Sequence, residues 1–244
     1  MELIKKSYKE VKDSGNAEKI NDFLIVLIKN PKKEYLNFFD FFIEDFPEET
    51  YEKIILNLVY LLGEIGNLTP LSDSYLTLLY DTYKKSDRWI RNEIIQAIDK
   101  ISKNTELNEK TVELISNALN DEYSVIKIST LKLLSNFKKL PDSVLKNLIR
   151  LMNSKDSEIL EGCERVFKRI PQQPDRIFNL LNRSDNYKIL KPRGIRSLLL
   201  IQYKSIVNAE SFREMILNSN WDKTNKENYI KEIITFERIL MKNL

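Results

Sequence analysis

The sequence predicts an all-helical fold in which helix pairs repeat along the chain. Apolar residues recur at helical spacing over nearly all of the 244 residues. The chain contains only 5 glycines and 7 prolines, whereas an all-β chain of this length would need many more turn residues. Hydrophobic residues make up 42% and charged residues 31%, which is typical of a folded chain and not of a disordered one.

Fourteen helices are predicted, and short breaks of Pro, Gly, Asn, Asp or Ser separate them. They cover residues 2–13, 17–29, 33–45, 48–65, 71–84, 88–103, 108–119, 123–138, 142–153, 156–170, 174–182, 192–206, 209–218 and 224–242. Pro47 and Pro192 lie at or near helix starts, where a missing backbone N–H costs little. Gly66 lies where a helix should end. No segment of comparable quality predicts a strand.

The predicted helices repeat with a period of about 35 residues. The apolar pattern of Ile90, Ile94, Ala97, Ile98 and Ile101 returns 69 residues later as Ile159, Cys163, Val166, Phe167 and Ile170. An intermediate copy, 36 residues after the first, reads Ile126, Thr130, Leu133, Leu134 and Phe137. A single helix pair cannot bury its own apolar face, so neighbouring pairs must stack, as they do in a solenoid. About seven such pairs would fill the chain.

Two stretches resemble the second helix of a HEAT repeat, which has an acidic turn, a Val-Arg-like pair and then small and apolar residues on one face. One runs from Asp87-Arg88-Trp89-Ile90-Arg91 to Ala97-Ile98 and Ile101, and the other from Asp121 through Val125-Ile126-Lys127 to Leu133-Leu134. The resemblance is good over residues 70–170 and weaker over 1–66 and 174–244. It implies an all-α, right-handed α-solenoid of about seven antiparallel helix pairs, forming a single domain over residues 1–244. Tetratricopeptide and armadillo repeats are the competing solenoids, and the tetratricopeptide signature of Trp, Gly and Tyr is not visible.

A structural ladder is implied by the same resemblance. In HEAT proteins the basic residue at the positions of Arg91 and Lys127 commonly pairs with the turn acid of an adjacent repeat. Asp87, Asp121 and Asp156 would be those turn acids. All three also precede second helices, where a carboxylate can cap exposed backbone N–H groups.

Charge is distributed unevenly along the chain. Residues 123–204 contain seventeen Lys or Arg and seven Asp or Glu, whereas residues 34–64 contain one Lys and eight acids. The whole chain carries a net charge of only +3. Such segregation indicates that the protein steers a charged partner or stacks on itself.

The basic residues predicted to face away from the core are the candidate partner-binding residues. They are Lys132, Lys139, Arg165, Lys168, Arg193, Arg196 and Lys204, together with Lys188 in the segment before Pro192. In HEAT solenoids the second helices line the concave surface, so the resemblance implies a basic concave groove. Such a groove suits an acidic protein segment or nucleic-acid phosphates.

We therefore expect a non-catalytic scaffold or adaptor that holds a protein partner with an acidic segment. The first alternative is a nucleic-acid-binding protein that uses the same cations for phosphates. A further alternative is self-association, in which the acidic N-terminal helices of one copy meet the basic half of another. In the remaining interpretation the basic stripe is only a solvated face, which Glu161 and Glu164 partly neutralise.

Two aromatic segments allow two interpretations each. Residues 182–191 hold Tyr187 among basic residues, so they form either a recognition loop that stacks a base or a longer turn between helices. The acidic segment is rich in aromatic residues, namely Tyr35, Phe38, Phe39, Phe41, Phe42, Phe46 and Tyr51. Sandwiching of this segment inside the repeat stack is favoured over an exposed binding patch.

No catalytic residues, metal or cofactor are expected. The chain has no histidine, the commonest general base and metal ligand, and no Gly-rich phosphate loop. Cys163 matches apolar repeat positions, which predicts a small core residue. A remote alternative is a DNA glycosylase, because some glycosylases that remove alkylated purines are HEAT-like solenoids with a basic groove, tryptophans and an acid. Asp87, Arg88, Trp89 and Arg91 cluster here, but no motif matches, and packing at a helix start explains Trp89 better.

The predicted location is the cytoplasm. A single cysteine permits no intramolecular disulfide, which favours a reducing compartment. The first six residues open an amphipathic segment and not a signal peptide. The longest apolar stretches, residues 23–28 and 54–62, are far shorter than a membrane span.

Overall fold

The computed structural model of the protein describes residues 2–169, 174–203 and 205–242. Within these ranges all regular structure is helical and no strand occurs, which confirms the predicted all-helical class. Fourteen α-helices lie in the described residues, and neighbouring helices pack in pairs. The chain forms two compact units, residues 1–114 and 115–244.

Unit 1 contains six complete helices. They are α1 (Glu2–Ser14), α2 (Ala17–Lys29), α3 (Leu36–Glu44), α4 (Glu48–Gly66), α5 (Asp73–Lys85) and α6 (Arg88–Ile101), and a short 3-10 turn (Lys33–Tyr35) precedes α3. The boundary to unit 2 falls inside α7 (Glu109–Ala118). Pro47 is the N-cap residue of α4, and Gly66 is its last residue, as the sequence predicts.

The even-numbered helices of unit 1 form one layer of packed helices. α2, α4 and α6 lie side by side in chain order, and α1, α3 and α5 each pack against the helix that follows. Glycines allow α4 to approach α6 closely. A Cβ atom at Gly63 would lie 2.9 Å from the Cα atom of Ala97, and one at Gly66 would lie 2.4 Å from Cγ1 of Ile101. A larger side chain at either position would therefore force the two packed helices to shift.

Polar contacts in unit 1 repeat at the spacing of one helix pair. Asn57 Nδ2 donates to Asn21 Oδ1 at 2.7 Å, Lys100 Nζ to Glu64 Oε1 at 2.9 Å, and Lys103 Nζ to Asn67 Oδ1 at 3.1 Å. In each contact the two residues are 36 positions apart. Equivalent positions of successive helix pairs in this unit are therefore in contact.

Unit 2 contains seven complete helices. They are α8 (Ser124–Leu134), α9 (Asp142–Leu151), α10 (Ser157–Arg169), α11 (Pro174–Asn182), α12 (Pro192–Gln202), α13 (Ile206–Leu217) and α14 (Lys223–Lys242), and a 3-10 segment (Arg183–Ile189) follows α11. α8, α10, α12 and α14 lie side by side in chain order. α9 packs against α10 and α12, α11 against α13, and α13 against α14.

Two polar contacts of unit 2 have the same spacing. Asn153 Nδ2 donates to the carbonyl oxygen of Ile189 at 2.9 Å, and Arg176 Nη2 donates to that of Leu140 at 3.0 Å. Both contacts join residues 36 positions apart. Ile170, one of the predicted repeat positions, lies outside the described residues.

Two predicted helices end four residues earlier than expected. The helix predicted over residues 192–206 is α12, which ends at Gln202. The sequence predicts a helix over residues 123–138, but α8 ends at Leu134. Ser135 Oγ donates to the carbonyl oxygen of Lys132 at 2.6 Å, and the backbone N–H groups of Asn136 and Phe137 each donate to the carbonyl three residues before. These tighter bonds close the last helical turn, so Phe137 follows the helix and does not lie on its apolar face.

None of the helices in the described part of the chain is long and apolar enough to cross a lipid bilayer.

Candidate functional site

Two of the three turn acids cap the helix that follows them. Asp87 Oδ1 accepts the backbone N–H groups of Trp89 at 2.9 Å and Ile90 at 3.0 Å. Asp156 Oδ1 accepts those of Glu158 at 2.9 Å and Ile159 at 3.4 Å. The predicted capping by these two residues is therefore confirmed, and each carboxylate satisfies otherwise unpaired helix N–H groups.

The third acid and Arg91 make local hydrogen bonds. Asp121 Oδ1 accepts the N–H of Tyr123 at 3.0 Å, in the turn immediately before α8. Arg91 Nη1 donates to the carbonyl oxygen of Ser86 at 2.9 Å, which holds the start of α6 to the preceding turn. Lys127 lies half-buried on α8. The ion pairing of Arg91 and Lys127 with acids of adjacent repeats stays a prediction.

Replacing Asp87 with alanine is expected to lower the free energy of unfolding by about 1 kcal/mol, because two N–H groups at the start of α6 lose their acceptor. Ser72→Ala is the matched control, since Ser72 is the N-cap residue of α5 but makes no capping hydrogen bond with its side chain. Urea unfolding followed by circular dichroism measures both variants. Equal losses in the two variants would contradict a capping role for Asp87.

The candidate partner-binding residues that the structure describes are exposed and lie in unit 2. Lys132 lies on α8, Arg165 and Lys168 on α10, and Arg193 and Arg196 on α12. Lys139 precedes α9, and Lys188 lies in the 3-10 segment after α11. Lys204 lies outside the described residues. Because α8 packs against α10 and α10 against α12, the structure brings three of the cation-bearing helices together.

Three of these cations already have an acidic partner. Lys168 pairs with Glu164 at 2.7 Å, Lys188 with Asp185 at 2.7 Å, and Arg196 with Glu232 of α14 at 3.3 Å. The hydrogen bond from Lys188 to Asp185 also raises the pKa of this lysine. A cation that is already paired offers less to an incoming acidic group, since the new contact must replace the old one.

Four other candidate cations in the described part of the chain have no acidic partner. Lys132, Lys139, Arg165 and Arg193 form no ion pair with any residue in the ranges that the structure describes. We call Lys132, Arg165 and Arg193 the basic stripe, since they lie on the three adjacent helices α8, α10 and α12. Two acids, Glu158 and Glu161, are also exposed on α10 and lower the net charge of this face.

The segment between α11 and α12 does not present an aromatic side chain. Tyr187 is only 5% exposed, and its ring stacks on that of Trp221 with 4.5 Å between centroids and an interplanar angle of 9°. Its carbonyl oxygen accepts the hydroxyl of Tyr229 at 3.0 Å. The interpretation of Tyr187 as a base-stacking residue is therefore wrong, because the ring is part of the core.

The aromatic residues of the acidic segment are mostly sandwiched, as expected. Phe38, Phe39, Phe42 and Phe46 are buried, and the ring of Phe42 lies 5.1 Å from that of Tyr8 in an edge-on contact. Phe41 is the exception in this helix and is about half exposed.

Trp89 differs from the expectation that it packs at a helix start. Its side chain is 65% exposed, and the guanidinium carbon of Arg88 lies 4.9 Å from its ring centroid. The physical reason is its place on α6, because the buried face of this helix contains Ile94, Ala97 and Ile98 and Trp89 lies off that face. In the sequence, Trp89 is not among the repeating apolar positions of this helix, and this absence could have predicted that its side chain is exposed.

A groove in unit 1 was not predicted from the sequence. It has a volume of about 610 Å³ and is formed by the start of α4, the end of α5 and the start of α6. Its floor is apolar and consists of Phe46, Tyr51, Ile55, Leu78 and Ile90. Four acids, Glu48, Glu52, Asp81 and Asp87, and one cation, Lys85, stand around this floor. We call it the acidic groove.

A second unpredicted surface lies on α14. It is a shallow groove of about 810 Å³ with Leu217, Trp221, Ile230 and Ile234 as its apolar part. Lys223, Lys226, Lys231 and Arg238 surround this part, together with a single acid, Glu227. We call it the basic α14 surface. The acidic groove combines residues from three helices, so no local pattern in the sequence indicates it, whereas most residues of the basic α14 surface lie on one helix.

The single cysteine is a core residue, as its repeat position predicts. Cys163 has no exposed surface, and burial raises the pKa of its thiol to about 12. The thiol is therefore protonated near neutral pH, whereas a nucleophilic cysteine needs the thiolate and access to substrate. Asp87, the acid considered for glycosylase chemistry, uses its carboxylate oxygen to cap α6.

Comparison with known proteins identifies no family. No family model matches the sequence, and no curated protein matches it. Among solved structures, the chain is similar to the crystal structure of an engineered protein determined by the Northeast Structural Genomics Consortium, with a TM-score of 0.49 and 13% sequence identity. The similarity covers 96% of this chain and 98% of the engineered one.

Proposed function

We propose that this protein is a non-catalytic binding scaffold that holds an acidic segment of a protein partner on the basic stripe of unit 2. The scaffold would be a HEAT-like α-solenoid of about seven helix pairs forming one repeat domain. Polar contacts between residues 36 positions apart, which occur in both units, support this architecture.

The observation that carries the proposal is the adjacency of three helices that each expose an unpaired cation. α8, α10 and α12 pack side by side, and each exposes one member of the stripe, Lys132, Arg165 or Arg193. One exposed cation on each of three neighbouring helices suits an extended acidic segment that crosses the helices. Charge on such a face increases the association rate and selects acidic partners, while a single exposed ion pair adds only about 0–1 kcal/mol.

Nucleic-acid phosphates are the second ligand class for the same stripe. Single-strand binding normally combines a basic groove with aromatic side chains on which bases stack. Tyr187 was the candidate for stacking a base in the basic region, but its side chain is buried in the core. An acidic protein segment is therefore the preferred ligand, and nucleic acid is an outcome of the test.

The test is fluorescence anisotropy with three labelled probes: a Glu-rich amphipathic peptide, single-stranded DNA and duplex DNA, each at low and physiological salt. The variant Lys132→Glu/Arg165→Glu/Arg193→Glu is expected to bind the peptide at least about tenfold more weakly than the wild type, a loss of about 1.4 kcal/mol. The matched control is Lys19→Glu/Lys29→Glu/Lys32→Glu, which makes the same charge change on exposed residues of unit 1.

Equal peptide binding by the stripe variant and the control would contradict the proposal. Tighter binding of DNA than of peptide, with log affinity falling by about 0.9 per neutralised phosphate for each tenfold rise in salt, would move nucleic acid to first place.

A further inference from the structure

The acidic groove of unit 1 combines exposed apolar surface with unpaired negative charge. Glu48, Glu52 and Asp81 are exposed and form no ion pair with any residue in the described ranges. Leu78 and Ile90 of the floor are only half-buried, so apolar surface remains open between the acids. With four acids and one lysine, the groove carries a net charge of −3. Its ligand must therefore be cationic and partly apolar.

The basic α14 surface has the complementary composition. Four cations and one acid surround it, which gives a net charge of +3, and Ile230 and Ile234 are half-buried between them. Lys231 and Arg238 form no ion pair in the part of the chain that the structure describes. At 100° per residue, Ile230, Ile234 and Arg238 lie on one side of α14.

This side of α14 is turned away from its neighbour in the helix layer. Glu232, which pairs with Arg196 of α12 at 3.3 Å, lies about 160° around the helix from Ile234. The residues that pack into the core, Tyr229, Ile233 and Phe236, occupy a third side. α14 therefore presents an amphipathic cationic face that α12 does not cover and that Leu217 of α13 borders.

We propose that the acidic groove of one copy of this protein binds the basic α14 surface of a second copy. In this contact the apolar parts of the two surfaces meet, with Leu78 and Ile90 on one copy and Ile230 and Ile234 on the other, and charges surround them. Charges of −3 and +3 then lie opposite each other at the margin.

This contact joins two different surfaces, so it is heterologous. Each copy keeps one free surface of each kind after pairing, and association continues until a ring closes or a filament forms. Because the charges are exposed, salt weakens the contact. The contact uses none of the basic-stripe residues, so it is independent of the binding function proposed above.

Sedimentation velocity of the purified full chain at low and high salt tests the proposal. The wild type is expected to form species heavier than the 28.9 kDa monomer at low salt and to dissociate at high salt. The groove variant Glu52→Lys/Asp81→Lys and the helix variant Lys231→Glu/Arg238→Glu are each expected to remain monomeric. Circular dichroism confirms that each variant folds.

Mixing the groove variant with the helix variant tests directly whether these two surfaces bind each other. The helix of the groove variant and the groove of the helix variant are both unchanged, so the mixture is expected to form species heavier than the monomer although each variant alone does not associate. Glu10→Lys/Asp13→Lys and Lys19→Glu/Lys29→Glu, which change exposed residues of α1 and α2, are the charge-matched controls and should associate like the wild type.

A wild type that stays monomeric at low salt, or a mixture that stays monomeric while the wild type associates, would overturn the proposal. Wild-type association that the groove and helix variants retain would overturn it as well. The stripe variant Lys132→Glu/Arg165→Glu/Arg193→Glu is expected to associate normally, so failure of partner binding and failure of self-association are separate results.

Discussion

Trp221→Ala is expected to lower the free energy of unfolding by about 3–5 kcal/mol. Trp221 is 5% exposed and is the centre of the aromatic cluster of unit 2. Its ring lies 4.5 Å from that of Tyr187, 5.7 Å from that of Phe178 and 5.0 Å from that of Tyr229. Its Nε1–H group donates to Asn182 Oδ1 at 2.9 Å. Truncation removes all of these contacts and leaves a cavity that the surrounding helices fill only in part.

The other tryptophan provides the control. Trp89→Ala makes the same chemical change at a side chain that is 65% exposed, so it is expected to change stability by less than about 0.5 kcal/mol. Urea unfolding followed by circular dichroism measures both variants. Similar losses for Trp221 and Trp89 would show that the cluster around Trp221 does not determine the stability of unit 2.

Arg213→Met is expected to destabilise the protein by about 2–4 kcal/mol, because it leaves the carboxylate of Glu237 buried without a counter-charge. Glu237 is 7% exposed, and Arg213 Nη1 donates to its Oε2 at 3.2 Å. The other oxygen of this carboxylate has no hydrogen-bond partner among the described residues. The estimate lies below that for a fully buried pair because the side chain of Arg213 is one-third exposed.

The double variant Arg213→Met/Glu237→Leu separates charge from packing. Replacing both members of a buried ion pair by apolar residues of similar size is often neutral, so the double variant is expected to recover most of the lost stability. Lys223→Met is the control, since Lys223 and Glu227 lie 3.9 Å apart at an exposed site and should contribute little. Chemical unfolding of the four proteins completes the comparison. A double variant no more stable than Arg213→Met would show that the arginine acts through packing and not through its charge.

The helices could be predicted from the sequence because the signals that form a helix are local. α2 and α11 have the predicted bounds, and Asp87 and Asp156 cap their helices as expected. Capping depends on residues two or three positions apart, and the apolar period depends on one turn of helix. The early end of α8 at Leu134 was missed because the side chain of Ser135 competes for the last backbone carbonyls.

The expected exposure of individual side chains was less accurate. Tyr187 was considered as an exposed recognition residue and is buried, whereas Trp89 was expected to pack and is exposed. Tyr187 is covered by Trp221, which lies 34 positions further along the chain, and no pattern around either residue indicates that contact. The solenoid architecture, the single repeat domain, the binding role and the cytoplasmic location stay predictions.

The sequence by itself determined the secondary structure, the burial of Cys163 and the charge difference between residues 34–64 and 123–204. Each of these depends on composition or on spacing within one or two helical turns. Only the tertiary structure decided which charges are already paired and where apolar surface stays open. The acidic groove forms where three consecutive helices pack together, and the packing of their side chains decides which of them remain accessible.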